Sequence, residues 1–331
     1  MASQVTRIED VIQPELFAQY LSEKTVEKSV LIRSRMVEEN ALLDSFAASG
    51  GTVFTAPSWG DLDGESEPLD DTSPIETDKI TASAEMITKL IRKKGWGEHD
   101  LSGALAGSDP MRVILEKVSD WEVRDENRIV INILKGIFGK PTGEEKTGLE
   151  DLVLDASTEG VTGDLILDGK QLLGDNAGIL SMLYMHSAVY TELQKQNLAK
   201  TITIPQSDGK VDIKTFLDYE VITDDACPCE GVGKNRVYST FLLARGAFQR
   251  GQGRPADLVE VETERDAKYS TDNLYLRRSK ILHPRGLSWV GAANITKPTP
   301  TNEDLAKADN WKLAKELKKI GMVKIMHKIG A

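Results

Sequence analysis

One stretch of the chain, residues 108–139, constrains the fold more than any other because its pattern predicts a single long helix. It has the sequence SDPMRVILEKVSDWEVRDENRIVINILKGIFG. Asp109 is a suitable N-cap, and Pro110 suits the first helical turn. Apolar residues recur at the three- and four-residue steps of one face: Met111, Ile114, Leu115, Val118, Trp121, Ile129, Ile133, Leu134 and Ile137. We therefore expect a helix of roughly 40 Å, with Trp121 buried and a polar interval at 124–127 interrupting its apolar stripe.

The composition limits what the chain can do. Its 331 residues suffice for one large domain or two ordinary ones. A formal net charge of −11 argues against a surface that grips nucleic acid or anionic lipid over a wide area. No apolar run approaches the roughly 20 residues that span a bilayer, and the first residues lack the apolar core of a signal peptide. We therefore expect no membrane partner.

The first half of the chain alternates in charge. Residues 1–50 are helical in pattern but carry few core residues, as expected of an arm or a peripheral helix. Strand-like runs, TVFTAP and ETDKITAS, flank an acidic segment, residues 61–78, that holds eight acids and no base. A basic cluster follows directly: Lys89, Arg92, Lys93 and Lys94. The acidic segment is either a disordered loop or the tip of a long β-ribbon, and the charge reversal suggests pairing between segments or subunits.

The second half mixes strands and helices without a regular βαβ alternation, which favours an α+β fold. LEDLVLDAS predicts a strand, Asp175–Asn197 a second helix, and the runs between 200 and 290 several strands. We expect a lysine-rich helix from about Glu303 to Ile320 and a final strand in MVKIMHKIG.

Catalytic patterns are incomplete. The glycines near Lys140 and Lys234 do not form a phosphate loop. His186 and Ser187 are adjacent on a predicted helix, so their side chains diverge. His283 is expected to be structural. Cys227 and Cys229 are expected to be small loop residues, with metal binding as the alternative. We expect neither an enzyme nor a cofactor, and no catalytic or metal-binding residue is assigned.

A series of segments, taken in order, resembles the major capsid proteins of tailed bacteriophages and prophages, which share the Hong Kong 97 fold. The segments are DPMRVILEKVSDWEVRDENRIVINILKGIF, MLYMHSAVYTELQKQNL, TFLDYEVITDDACP, LLARGAF, ETERDA and SKILHPRGLSWVG. The resemblance extends from IEDVIQPELFAQYL to KIGMVKIMHKIG and so covers most of the chain.

This resemblance implies a structural subunit of the virion that assembles with itself in the host bacterial cytoplasm. Hexamers and pentamers would form an icosahedral head shell around double-stranded DNA, without sequence-specific binding. The implied parts are an N-terminal arm (1–50), an extended β-ribbon loop (51–98), a peripheral domain with a long spine helix (99–140 and 257–331), and an axial domain (141–256). Contacts between subunits would involve Trp59, Glu67, Asp70, Asp71, Arg92, Lys93 and Lys94.

Some members of this family carry a cleavable scaffolding segment of about a hundred residues, for which this chain has no obvious room. A separate scaffolding protein and a portal are therefore expected during assembly. Other members crosslink their subunits through lysine and asparagine. Lys79 has no identifiable partner here, so crosslinking is not expected. The alternatives are an encapsulin-like nanocompartment shell, a cytoplasmic enzyme with an unrecognised site, and a cytoplasmic binding module.

Overall fold

A computed structural model describes residues 30–59, 66, 80, 82–101, 110–142, 148–196, 199–206 and 209–330. The helices of this part, in chain order, are α1 (Val30–Arg33), α2 (Ala41–Ala48), α3 (Pro110–Ile137), α4 (Gly163–Gln171), α5 (Ser187–Lys195) and α6 (Asn302–Leu305). Its strands are β1 (Val37–Glu39), β2 (Val53–Trp59), β3 (Ala82–Thr88), β4 (Leu90–His99), β5 (Val153–Gly160), β6 (Leu180–Met185), β7 (Ala199–Gln206), β8 (Gly209–Phe216), β9 (Tyr219–Thr223), β10 (Cys229–Glu230), β11 (Val237–Ala244), β12 (Phe248–Gln252), β13 (Val261–Asp266), β14 (Thr271–Pro284), β15 (Leu287–Trp289), β16 (Trp311–Leu313) and β17 (Met322–Lys328).

The described strands form two large sheets and two two-stranded ones, β15–β16 and the ribbon β2–β3. The five-stranded sheet has the order β1-β12-β14-β13, with β4 also paired to β14. The eight-stranded sheet has the order β5-β17-β11-β6-β9-β8-β7, with β10 added beside β11. The ribbon is the antiparallel pair β2–β3, in which Val53 lies opposite Thr88 and Trp59 opposite Ala82.

The long helix α3 packs against both sheets. Its C-terminal half carries Ile129, Ile133 and Leu134, all fully buried, into the main core that it shares with the eight-stranded sheet. Its N-terminal half carries Met111 and Val118 into a second cluster with Leu274 and Leu276 of β14. One helix thus ties two separate hydrophobic clusters together, as its long apolar stripe predicts.

The predicted spine helix is confirmed over 110–137, and its 28 residues correspond to about 42 Å. Its predicted N-cap, Asp109, lies outside the described residues. Trp121 differs from expectation because it is only partly buried, at the edge of the second cluster. Its ring meets that of Trp96 edge-on, with the ring centroids 5.1 Å apart.

The predicted helix from Glu303 to Ile320 is wrong. Only Asn302–Leu305 is α-helical, and Trp311–Leu313 forms β16, antiparallel to β15. Trp311 lies opposite Trp289 in that pairing, and both side chains are buried. Packing between two distant tryptophans therefore outweighs the local helix propensity of the lysine-rich segment.

The predicted helix from Asp175 to Asn197 is also wrong in its first half. Residues 180–185 form β6, a central strand between β11 and β9, and the α-helix begins only at Ser187. Five of the six β6 residues are buried. A short apolar run that is buried on both faces gives no periodicity that separates strand from helix.

The first fifty residues are less helical than predicted within the part that is described. Arg35 adopts a positive φ of 61°, and β1 follows it before α2 begins. β1 pairs in parallel with β12, more than two hundred positions later, which the local sequence does not reveal. The rest of the predicted arm, residues 1–29, lies outside the described residues.

Candidate functional site: the charged joint and the ribbon base

The polar interval of α3 faces the protein interior. Glu122, Asp125 and Glu126 follow Val118 at helical steps, so they lie on the same face as the apolar stripe. Glu122 and Glu126 are buried. The helix therefore presents a continuous inner face that is apolar at both ends and acidic in the middle.

Basic residues on the five-stranded sheet meet this acidic segment. Arg278 donates from Nε to Glu122 at 2.6 Å, and Lys280 Nζ lies 3.1 Å from Asp125. Arg250 of β12 donates from Nη2 to Glu126 at 3.1 Å. These residues alternate along the strands, so their side chains share the face of the sheet that packs on α3. We call this set of six residues the charged joint.

Ion pairing shifts the pKa values of two residues in the joint, Glu126 and Arg250. Burial alone would raise the pKa of Glu126, but Lys280 and Arg250 outweigh that effect and lower it. Burial alone would lower the pKa of Arg250, but Glu126 outweighs that effect and raises it. Arg250 also contacts Glu39 of β1 at 3.0 Å. The joint therefore links α3 to two neighbouring strands of the five-stranded sheet, β12 and β1.

The base of the ribbon carries a second buried ionic cluster. Glu85 of β3 lies 2.6 Å from Nζ of Lys315 and 3.5 Å from Nε2 of His283. Burial alone would raise the pKa of Glu85, but His283 and Lys315 lower it to about 2. Ser288 of β15 accepts from Met86 N at 3.0 Å and donates to Ala84 O at 3.3 Å. The ribbon is therefore fixed at its base by both charge and backbone contacts.

The predicted contact residues differ in where the structure places them. Glu67, Asp70 and Asp71 lie outside the described residues, and Trp59 is the last residue of β2. Arg92 is partly buried, and its Nη2 donates to Asn302 Oδ1 at 3.0 Å. Lys93 and Lys94 are exposed and make no ion pair with another described residue. They are the exposed members of the basic cluster, since Lys89 is buried and Arg92 partly buried.

The structure does not assemble the candidate catalytic groups into a reactive site. His186 Nδ1 accepts from Ala188 N at 3.1 Å, and Ser187 donates to Asp225 instead of to His186. His283 is buried beside Glu85, in the structural position expected for it. Cys227 is buried and Cys229 exposed. Among the described residues, no group of three or more His, Cys, Asp or Glu could hold a metal ion. In the same part of the chain, no helix is long and apolar enough to cross a bilayer.

Comparison with known proteins gives a consistent result. The family model described as "Gp13-like: Major capsid protein 13-like" matches residues 131–323. The major capsid protein of Bacillus phage SPP1 is 33% identical over 330 residues, which cover 98% of this chain and 99% of that protein.

Two solved structures show the same fold. The capsid of Ralstonia phage GP4 superposes with a TM-score of 0.58, at 9% identity and over 92% of each chain. The holo-SrpI encapsulin complex from Synechococcus elongatus PCC 7942 gives a TM-score of 0.51, also at 9% identity, over 98% of this chain and 91% of that one. The α+β Hong Kong 97-like fold expected from the sequence is confirmed. This fold occurs in phage capsids and encapsulins alike, so the sequence matches decide between them.

Proposed function

Because the chain belongs to the Gp13-like family of major capsid proteins, it is a structural subunit of a phage head shell and not an enzyme, and we propose that its copies assemble as hexamers and pentamers. These capsomers would enclose double-stranded DNA without reading its sequence. A separate scaffolding protein and a portal would take part in assembly. The net charge of −11 supports a shell that does not bind its DNA tightly over its whole surface.

We keep the four-part division of the subunit as a proposal, with changes that follow from sheet membership. β17 lies inside the eight-stranded sheet, so residues 322–328 join the axial domain. β12 lies inside the five-stranded sheet, so residues 248–252 join the peripheral domain. By the same criterion, residues 37–39 of β1 and 90–99 of β4 join the peripheral domain, and the rest of the arm and of the ribbon loop keeps the range given from the sequence.

The ribbon is the feature that best supports contacts between subunits. β2 and β3 pair over seven residues each, and β3 is held to the body at Glu85 and Ser288. Residues 60–81 connect the two strands, and positions 61–78 within them hold eight acids and no base. A hairpin with a fixed base and an acidic tip is suited to reach a basic surface on a neighbouring subunit.

On that neighbour, Lys93 and Lys94 are the most suitable partners because they are exposed and unpaired within the described residues. Arg92 is less suitable, since it already binds Asn302. Among the lysines near the C-terminus, Lys315 pairs with Glu85 and Lys318 with Asp175, whereas Lys312 is exposed. We propose that Glu67, Asp70 and Asp71 of one subunit contact Lys93, Lys94 or Lys312 of the next.

Negative-stain microscopy of the purified full-length protein tests this function. We expect closed shells or separate hexameric and pentameric capsomers under assembly conditions, with or without a co-expressed scaffolding protein. Size-exclusion chromatography reports the same equilibrium in solution. A protein that stays a compact monomer under every assembly condition would contradict the proposal.

A further inference from the structure

The solvent-facing side of α3 carries a straight row of basic side chains that the charged joint does not use. The row consists of Lys117, Arg124, Arg128 and Lys135, and all four are exposed. Their positions are i, i+7, i+11 and i+18 on one continuous helix. At about 3.6 residues per turn, the four positions span an arc of about 40° around the helix axis. They therefore form a nearly straight row, roughly 27 Å long.

The four charges are not neutralised by the described part of the chain. None of the four forms an ion pair with another described residue, whereas Arg112 on the same helix lies 3.7 Å from Glu116. By contrast, Arg250 and Lys280, which lie on strands packed against the opposite side of α3, both contact the buried Glu126. These four cations, which have no counterion among the described residues, are available to an external anion.

The surroundings of the row favour a polyanion over a folded protein partner. Protein interfaces have an apolar core, but the only large apolar residue exposed on α3 is Val113, one helical turn before Lys117 at the end of the row. Asn127 and Asn132 lie beside the row, as do the acid Asp120 and the partly buried ring of Trp121. A straight line of isolated charges matches a rod of uniform charge, and double-stranded DNA carries one negative charge per roughly 1.7 Å of its axis.

We propose that this row binds the phosphate backbone of double-stranded DNA, so that each spine helix carries one contact strip for the packaged genome. The inference rests on the proposed function, in which the shell encloses DNA. Contacts to phosphates carry no sequence information. With at most four phosphates neutralised, affinity falls by roughly 100-fold between about 50 and 200 mM salt. Such weak local binding is compatible with the negative charge of the whole chain.

The test compares two variants of the unassembled full-length protein. The row variant carries Lys117→Gln, Arg124→Gln, Arg128→Gln and Lys135→Gln. The control variant carries Lys195→Gln, Lys268→Gln, Lys307→Gln and Lys318→Gln, which are exposed lysines elsewhere. Both variants lose four positive charges, so any effect of net charge is the same. Binding of a fluorescent DNA duplex is measured against salt, with duplexes of two unrelated sequences and with polyglutamate as a second polyanion.

We expect the parent and the control to bind both duplexes alike and the row variant to bind at least tenfold more weakly, with a flatter dependence on salt. A variant in which lysine and arginine are exchanged at the four positions should bind like the parent. No binding by the parent at low salt, or an equal loss in both glutamine variants, would overturn the proposal. Tighter binding of polyglutamate than of DNA would identify an acidic protein segment as the partner and would also overturn it. Shell formation is scored separately by microscopy. If the parent forms normal shells but the row variant binds DNA as well as the parent does, DNA binding by the row is rejected and the proposed shell function is not.

Discussion

Glu126 of α3 and Arg250 of β12 form an ion pair of 3.1 Å between two side chains that are 6% and 4% exposed. The pair joins the middle of the longest described helix to the five-stranded sheet. Removing one member of a buried pair leaves an uncompensated charge, which typically costs about 3–5 kcal/mol. The pair is therefore a sensitive point for testing the charged joint.

We expect Glu126→Ala to lower the free energy of unfolding by about 3–5 kcal/mol. The double replacement Glu126→Leu with Arg250→Met should cost less, because it leaves no unpaired charge in the interior. Chemical denaturation of the unassembled protein measures both. If the double variant loses as much stability as Glu126→Leu and Arg250→Met lose together when measured singly, the two side chains do not act as a pair.

Trp121 and Trp289 offer a comparison of two tryptophans that differ in burial. Trp289 is 1% exposed and packs edge-on against Trp311, so Trp289→Ala should cost about 3–5 kcal/mol. Trp121→Ala should cost less, because the ring is only partly buried beside Trp96. Denaturation midpoints of the two variants check the order. The opposite order would show that the packing at the N-terminal half of α3 is tighter than described.

Glu85 should make the stability of the subunit depend on pH below neutrality. Its pKa falls from 4.5 to about 2 in the folded protein because His283 and Lys315 favour the carboxylate despite its burial. A lowered folded pKa means that the stabilisation is complete above about pH 4.5 and is lost as the pH falls towards 2. Melting temperatures of Glu85→Gln should therefore decline less over this range than those of the parent. Glu303→Gln, at an exposed position, serves as the control and should follow the parent.

The proposed ribbon contact predicts an assembly defect that depends on salt. One exposed ion pair is worth only about 0–1 kcal/mol, but a closed shell repeats the contact in every subunit. The variant with Glu67→Gln, Asp70→Asn and Asp71→Asn should give fewer or less stable shells at low salt, and the difference should shrink at high salt. Amides at the exposed acids Asp151, Glu159 and Asp168 form the matched control. Equal yields and melting curves for the parent and both variants would show that the ribbon tip touches nothing.

The sequence predicts local features of this fold well and distant ones poorly. The helix over 110–137 has a strong helical period, and the strand runs after residue 200 are rich in β-branched residues, so both were expected. The errors at 175–197 and 303–320 occur where strands pair with distant segments. β6 is set by β11 and β9, and β16 by the pairing of Trp311 with Trp289.

The charged joint was missed for a related reason. In the sequence, residues 124–127 look like a solvated break in the apolar stripe. Yet Glu122 and Glu126 lie at helical steps from Val118 and Ile129, and that phase was the available signal. Their partners Arg278 and Arg250 are 156 and 124 positions away, so only the folded chain shows that the acids are neutralised.

The position of β17 has a consequence for how subunits are made. β17 lies between β5 and β11, in parallel with the first and antiparallel to the second. A ribosome therefore has to translate as far as residue 328 before the eight-stranded sheet can close, and until then the nascent chain has two open strand edges. Such edges are prone to pair with other chains. Shell growth would thus use only subunits that have been synthesised through this strand.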